Sequence, residues 1–197
     1  MKDMSLHAGD ALLIVDVQKD FLPGGSLAVP EGDAVIAPLN RCIAAFGRNG
    51  LPVYASRDWH PPDHCSFAAQ GGPWPPHCVA GSRGAEFAAA LALPAGAIVI
   101  SKATTPQRDA YSAFGDTDLH RRLQAAGVKR LFVGGLATDY CVLNTVKDAL
   151  ALGYGVVVLI GAVRAVEVAV GDGAHALAQM FRLGAQIGEG ECPDANR

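Results

Sequence analysis

No stretch of this 197-residue chain stays apolar for the ~20 residues that a bilayer-spanning helix needs. The longest strongly apolar runs, residues 11–15 and 156–160, have the length of buried strands, and membrane partners are excluded on that ground. Charge is scarce too: 18% of residues are charged, and 16 Lys+Arg against 19 Asp+Glu give a net charge of −3. With no basic block, the chain carries no electrostatic footprint for nucleic acid or an anionic lipid surface. Residues 1–7 lack the apolar centre of a signal peptide. The five cysteines (Cys42, Cys65, Cys78, Cys141, Cys192) are odd in number and include no C-x-x-C pair. They read as mostly reduced thiols, one of them reactive, in a cytoplasmic protein. Glycine and proline, 23 and 12, are scattered as turns rather than gathered in a tract. Neither a repeat nor a linker interrupts the chain. Half of it is apolar, which excludes wholesale disorder, and its length suits one domain over residues 1–197.

What is present is alternation. Residues 11–17 read as a strand buried on both faces, followed by a helix over 35–46 with Val35, Leu39, Cys42 and Phe46 inward. Strands follow at 51–56 and 97–101. A helix capped by Asp118 carries Leu119, Leu123 and Ala126, and a fourth strand covers 130–134. A helix from near Asp139 buries Val142, Val146 and Ala149 before a strand at 155–160. The last helix, 172–182, is expected to turn Ala174, Leu177 and Phe181 inward before a short strand at 185–187. Strand–helix alternation predicts an α/β fold: a three-layer α/β/α arrangement with a mostly parallel sheet of about six strands. Residues 61–84, rich in Pro, Gly, His and Cys, break the pattern, and a loop that long is usually functional.

In open parallel sheets, ligands bind beyond the carboxyl ends of the strands. The polar residues expected there are Asp16, Asp58, Lys102 and the segment that leads to Cys141. Each has an ordinary reading: Asp16 caps a loop, Lys102 snorkels to water, Cys141 is a small buried hydrophobe. Together they form a nucleophilic set, because Thr138 and Asp139 put Cys141 in a first helical turn, where the helix dipole favours a thiolate. A second constellation is Asp58, His60 and His77. Asp58 and His60 are two apart and share a side in an extended segment, and two imidazoles with one carboxylate leave positions open on Zn2+, Fe2+ or Mn2+. His64 is a further ligand or a neighbour of one. The ordinary alternatives are a proline-stiffened loop with surface histidines, or a zinc knuckle through Cys65 and Cys78.

Several stretches carry a resemblance: Leu13-Ile-Val-Asp-Val-Gln-Lys-Asp-Phe21, Arg57-Asp-Trp-His60, Trp74-Pro-Pro-His-Cys78, Lys102, Asp109-Ala-Tyr-Ser-Ala-Phe114 and Gly135-Leu-Ala-Thr-Asp-Tyr-Cys-Val142. In this order the chain resembles the nicotinamidase/pyrazinamidase branch of the isochorismatase-like cysteine hydrolases. The resemblance implies that fold and a metal-dependent amidohydrolase that converts nicotinamide, and pyrazinamide, to the acid and ammonia through a thioester. The alternative is a relative that acts on another small amide. By the same resemblance Cys141 is the nucleophile, Asp16 the acid/base and Lys102 its electrostatic partner. A cis Leu136–Ala137 bond would present the Ala137 N–H, with that of Cys141, to the oxyanion. Asp58, His60 and His77 would hold one divalent ion, Zn2+ before Fe2+ or Mn2+. Phe21, Trp74 and Tyr111 would wall the substrate ring. A place in NAD salvage is implied, and a homo-oligomer is compatible with the family. The chain departs from the pattern at Ala103, where glycine often follows the lysine, and at Gly161, where aspartate is usual.

Overall fold

Alternating side chains build the first strand, β1 (Asp10–Val15), as a strand covered on both sides. Leu12 and Ile14 enter one apolar cluster, whereas Ala11, Leu13 and Val15 enter the other. Each of its fully buried Leu and Ile side chains contributes roughly 1.5–3 kcal/mol. The computed structural model describes residues 5–188. Cys192 and residues 1–4 of the opening stretch lie outside the described residues. Chain order continues with α1 (Ile36–Arg48), β2 (Val53–Asp58), β3 (Ile98–Lys102), α2 (Leu119–Ala125) and β4 (Arg130–Leu136). It ends with α3 (Leu143–Ala151), β5 (Gly155–Arg164), α4 (Asp172–Arg182) and β6 (Gln186–Gly188).

The six strands form one sheet in the order β3-β2-β1-β4-β5-β6, with every strand parallel to its neighbours. The α1 helix covers one face through Leu39, Cys42, Ile43 and Phe46, assisted by Ala85, Ala88 and Leu91 of the long segment after β2. The α2, α3 and α4 helices cover the other through Leu119, Leu123, Val146 and Met180. The predicted three-layer α/β/α order is present. Parallel strands point every carboxyl end at one rim, and β1 and β4 diverge there in opposite directions along the order.

Several details depart from the periodicity. Residues 61–84 are not structureless: they hold a 3-10 turn at Ala68–Gln70 and bridges His60–Val79 and Phe67–Trp74. The β5 strand runs past Ile160 and Gly161 to Arg164, with a register shift against β4 between Val133 and Gly135. Gly135 has φ +124 and a Cβ there would stand 2.0 Å from the Val15 carbonyl oxygen, so only glycine lets β4 approach β1 at the rim. Helix α4 is rotated from expectation. Gly173, Ala176 and Met180 are buried, Leu177 is half-buried, and Ala174 and Phe181 face outward. Gly173 sets this rotation: its missing Cβ would lie 2.7 Å from the Ala165 side chain and from Glu167 Oε1.

Tyr54 is fully buried in the second cluster, and its hydroxyl has no hydrogen-bond partner among the described residues. An unpaired buried hydroxyl costs about 1–3 kcal/mol. Tyr54→Phe is therefore expected to keep or raise stability, by up to ~1 kcal/mol. A denaturant midpoint lower than that of the parent would show that the hydroxyl is paired.

Candidate active site

The β1 strand stops at Val15, and Asp16 follows with φ 49, a left-handed conformation that turns its carboxyl group into the interior at the rim. It is completely buried, and Oδ1 accepts a 2.7 Å hydrogen bond from Ser56 Oγ on β2. Oδ2 stands 3.0 Å from Lys102 Nζ, an ion pair off the line of a hydrogen bond. Lys102 ends β3 and reaches over β2. Its ammonium is 2.5 Å from Asp58 Oδ1, donates to the Ala110 carbonyl at 3.0 Å and lies 3.5 Å from Cys141 Sγ. Ligand atoms of Asp16, Asp58 and Cys141 lie within 4.8 Å of one another. Two acids, an ammonium and a thiol from four strand ends thus meet in one buried cluster.

Cys141 does not sit in the first turn of an α-helix. It lies in a π-helical turn, Thr138–Val142, that precedes α3 and follows the cis Leu136–Ala137 bond. The surroundings also work against the thiolate that a helix start was expected to favour. Burial pushes the Cys141 thiol well above its ordinary value; Lys102 pulls it down, and Asp16 and Asp58 push it up. Two carboxylates against one ammonium leave net negative charge, which opposes a thiolate. Burial also raises the Asp16 carboxyl, against the pull of Lys102. Lys102 stays charged: burial lowers it, but Asp16 and Asp58 raise it well above its usual value. Burial and the flanking carboxylates thus disfavour the thiolate, and burial makes Asp16 a stronger base.

Asp58, His60 and His77 each offer a ligand atom within 4.8 Å of the other two, and all three residues are buried. The donor set fits a divalent metal on a tautomer argument. His60 Nδ1 meets the Ala103 carbonyl at 3.2 Å and His77 Nδ1 the Pro75 carbonyl at 2.8 Å. Carbonyls only accept, so each Nδ1 carries the proton and each Nε2 keeps a lone pair for an ion. Burial and the neighbouring His77 and His64 push His60 down to about 3, so its ring is neutral at pH 7. Ala103 makes its contact from φ 50, the conformation that glycine favours. His64 is not among these ligands. Its Nδ1 lies 2.7 Å from Ser66 Oγ, its Nε2 3.0 Å from the Arg108 carbonyl, and its ring stacks on His60 at 4.1 Å. Cys65 and Cys78 form no knuckle: the set is two imidazoles and a carboxylate.

Both groups reach a cavity of about 410 Å3, part of it open to solvent: Cys141 lines it from one, Asp58 and His77 from the other, with Phe21, Trp74, Tyr111, Tyr140 and aliphatic side chains around them. Trp74 Nε1 donates to the Tyr111 hydroxyl at 3.0 Å, and Tyr140 packs edge-on to Trp74 at 5.3 Å. Three supports were not assigned roles from the sequence. Gln18 grips the Asp58 backbone from both ends of its amide, accepting from Asp58 N–H at 2.8 Å and donating to the Asp58 carbonyl at 2.7 Å. Asp20 accepts the Cys78 N–H at 2.7 Å and so holds the turn that carries His77, and a side chain on Gly84 would strike its carboxylate at 2.1 Å. Tyr140 is the third. Gln18 and Asp20 had a visible signal: polar residues directly after a buried strand, inside a motif already singled out.

Comparison with known proteins agrees with this arrangement. The model of the isochorismatase domain matches residues 10–191. The nicotinamidase of Escherichia coli is 43% identical over 198 residues, covering 90% of this chain and 93% of that protein. The crystal structure of Pyrococcus horikoshii pyrazinamidase in complex with zinc superimposes with a TM-score of 0.89 at 46% identity, covering 92% of this chain and 99% of the other. PnC1 from L. infantum in complex with nicotinate gives 0.90 at 38% identity, over 98% of each chain.

Proposed function

Because this chain belongs to the isochorismatase family, we propose that it is a nicotinamidase, which hydrolyses nicotinamide, and pyrazinamide, to the carboxylate and ammonia. One observation carries the reading: Cys141, backed by Asp16 and Lys102, and Asp58 and His77, backed by His60, line a single aromatic-walled cavity. The carboxamide needs a nucleophile, a proton carrier and an oxyanion cradle; the ring needs flat apolar walls and an anchor for its nitrogen.

Asp16 takes the proton of the Cys141 thiol as sulfur bonds to the carboxamide carbon, and Lys102 balances the charge. The carbonyl π electrons move to oxygen, which the Ala137 and Cys141 N–H groups receive. Collapse of this intermediate breaks the C–N bond while Asp16 gives its proton to the leaving nitrogen, so ammonia departs and a thioester remains. Asp16 then takes a proton from water as the hydroxyl attacks. The C–S bond breaks, Cys141 recovers a proton and the acid leaves. Asp58, His60 and His77 would hold one divalent ion, with zinc as the proposed metal, which would supply Lewis acidity toward the lone pair of a ring nitrogen. Phe21, Trp74 and Tyr111, joined by Tyr140, clamp the ring faces. The product class suits pyridine nucleotide salvage, and residues 1–197 are read as one such domain.

An ammonia-release panel over aromatic and aliphatic amides tests the reading. Nicotinamide and pyrazinamide are expected to turn over, aliphatic amides poorly, and a chelator should abolish the activity with recovery on adding zinc. His77→Ala should lower bound metal and weaken nicotinamide binding, losing about 10–100-fold or more in metal affinity. Undiminished metal content in His77→Ala, or full activity after chelation, would count against the anchor.

A further inference from the structure

Val166 lines the same cavity, from residues 165–171, the segment that joins β5 to α4. Val166 packs partly buried against the first apolar cluster, but neighbouring Val168 and Val170 are 70% and 100% exposed, so burial does little to hold the rest of this segment in place. Three carboxylates hold it instead: Asp139, Glu167 and Asp172, the last accepting the Ala169 N–H at 2.8 Å. Asp139, two positions before Cys141, accepts the Val166 N–H at 2.9 Å through Oδ1 and the Glu167 N–H at 3.1 Å through Oδ2. Glu167, at φ 57, accepts the Gly171 N–H at 2.6 Å and the Gly173 N–H at 2.8 Å. A chain of charge-assisted bonds therefore runs from the turn of the nucleophile, through the cavity wall, to the start of α4. Val166 cannot withdraw from the cavity without breaking it.

Resting on the ring-hydrolase reading above, we propose that Val166 is a specificity-determining residue and Asp139 the positioning residue that fixes it, so that together they set the size of ring the pocket admits. Val166 presents only methyl groups, so its discrimination is steric. One methyl group in an apolar pocket changes selectivity by about 10–200-fold. Asp139 acts through the backbone of its neighbour rather than on the substrate.

The experiment measures kcat/KM for nicotinamide and for its 2-, 4-, 5- and 6-methyl derivatives. Val166→Ala is expected to raise the methylated-to-parent ratio by roughly tenfold for at least one ring position, and Val166→Leu to lower it. Asp139→Ala should shift the same ratio in the direction of Val166→Ala, with KM for nicotinamide rising several-fold and kcat changing less. Asp139→Asn, which keeps one acceptor oxygen, should fall between. A merely structural role would depress all substrates equally. Ratios unchanged in both Val166 variants overturn the proposal. Ratios that move in Val166 variants but not in soluble Asp139 variants remove Asp139 from it; if Asp139→Ala fails to fold, Asp139→Asn decides. A parent enzyme that releases no ammonia from nicotinamide would sink the hydrolase reading instead, and calorimetric Kd values for the same amides would then supply the ratios.

Discussion

Cys141→Ala is expected to reduce ammonia release by about 10^4–10^6-fold while nicotinamide still binds, because the ring walls and the metal-binding set are untouched. The magnitude follows from the mechanism: without sulfur no thioester forms, and only positioning and the oxyanion donors remain. Cys141 Sγ is one atom of a crowded buried cluster, with Lys102 Nζ at 3.5 Å. Its loss leaves the Asp16–Lys102–Asp58 ion pairs in place, so the variant should fold. Single-turnover assays and calorimetry with nicotinamide check both halves. Turnover within a hundredfold of the parent would refute Cys141 as nucleophile, and loss of binding would mean that the thiol is part of the ring site.

Asp16→Asn is expected to cost about 10^2–10^4-fold in kcat, the usual worth of a positioned acid/base, and yet to make Cys141 more reactive toward iodoacetamide at neutral pH. The sign comes from the charges. Asp16 raises the Cys141 thiol, so removing its negative charge leaves Asp58 and Lys102 nearly balanced and lets the thiol fall. The thiolate fraction therefore rises as turnover drops, because nothing remains to hand a proton to the departing nitrogen. Faster alkylation with slower catalysis separates a proton carrier from a residue that merely holds the thiol in place. A rate near that of the parent would remove Asp16 from the mechanism.

How far the sequence could be read depended on which interactions are local. Each predicted strand overlaps its observed counterpart, since fully buried parallel strands announce themselves as short continuous apolar runs. Strand ends were less legible. Arg57 and Asp58 extend β2, and residues 161–164 extend β5, because ladder pairing with neighbours continues past the apolar core. Helix α4 was found at its observed bounds but with the wrong rotation: Phe181 and Met180 are adjacent in sequence, and only contact of Gly173 with Ala165 and Glu167 decides between them. In the site, the residues that carry chemistry stood out as polar interruptions of apolar runs. Of the groups that hold them, Gln18 and Asp20 also stood out as polar residues in a singled-out motif, but the partners they reach did not. Gln18 meets Asp58 across 40 residues and Asp139 meets Val166 across 27, distances over which no periodicity speaks. The raised Cys141 thiol was also out of reach, since it is set first by burial in the assembled site and then by charges from three other strands.

Lys102 belongs to β3, one of the two edge strands of the sheet, whose Val99 is left substantially exposed. A border strand is where a sheet ordinarily frays first. Here fraying would strip the counterion from two interior acids at once, and uncovering a buried ion pair costs about 3–5 kcal/mol. The groups that run the reaction therefore double as the hem of the sheet. On warming, this molecule should keep its competence until its margin gives way, and adjusting the chemistry at Lys102 would loosen the stitching too.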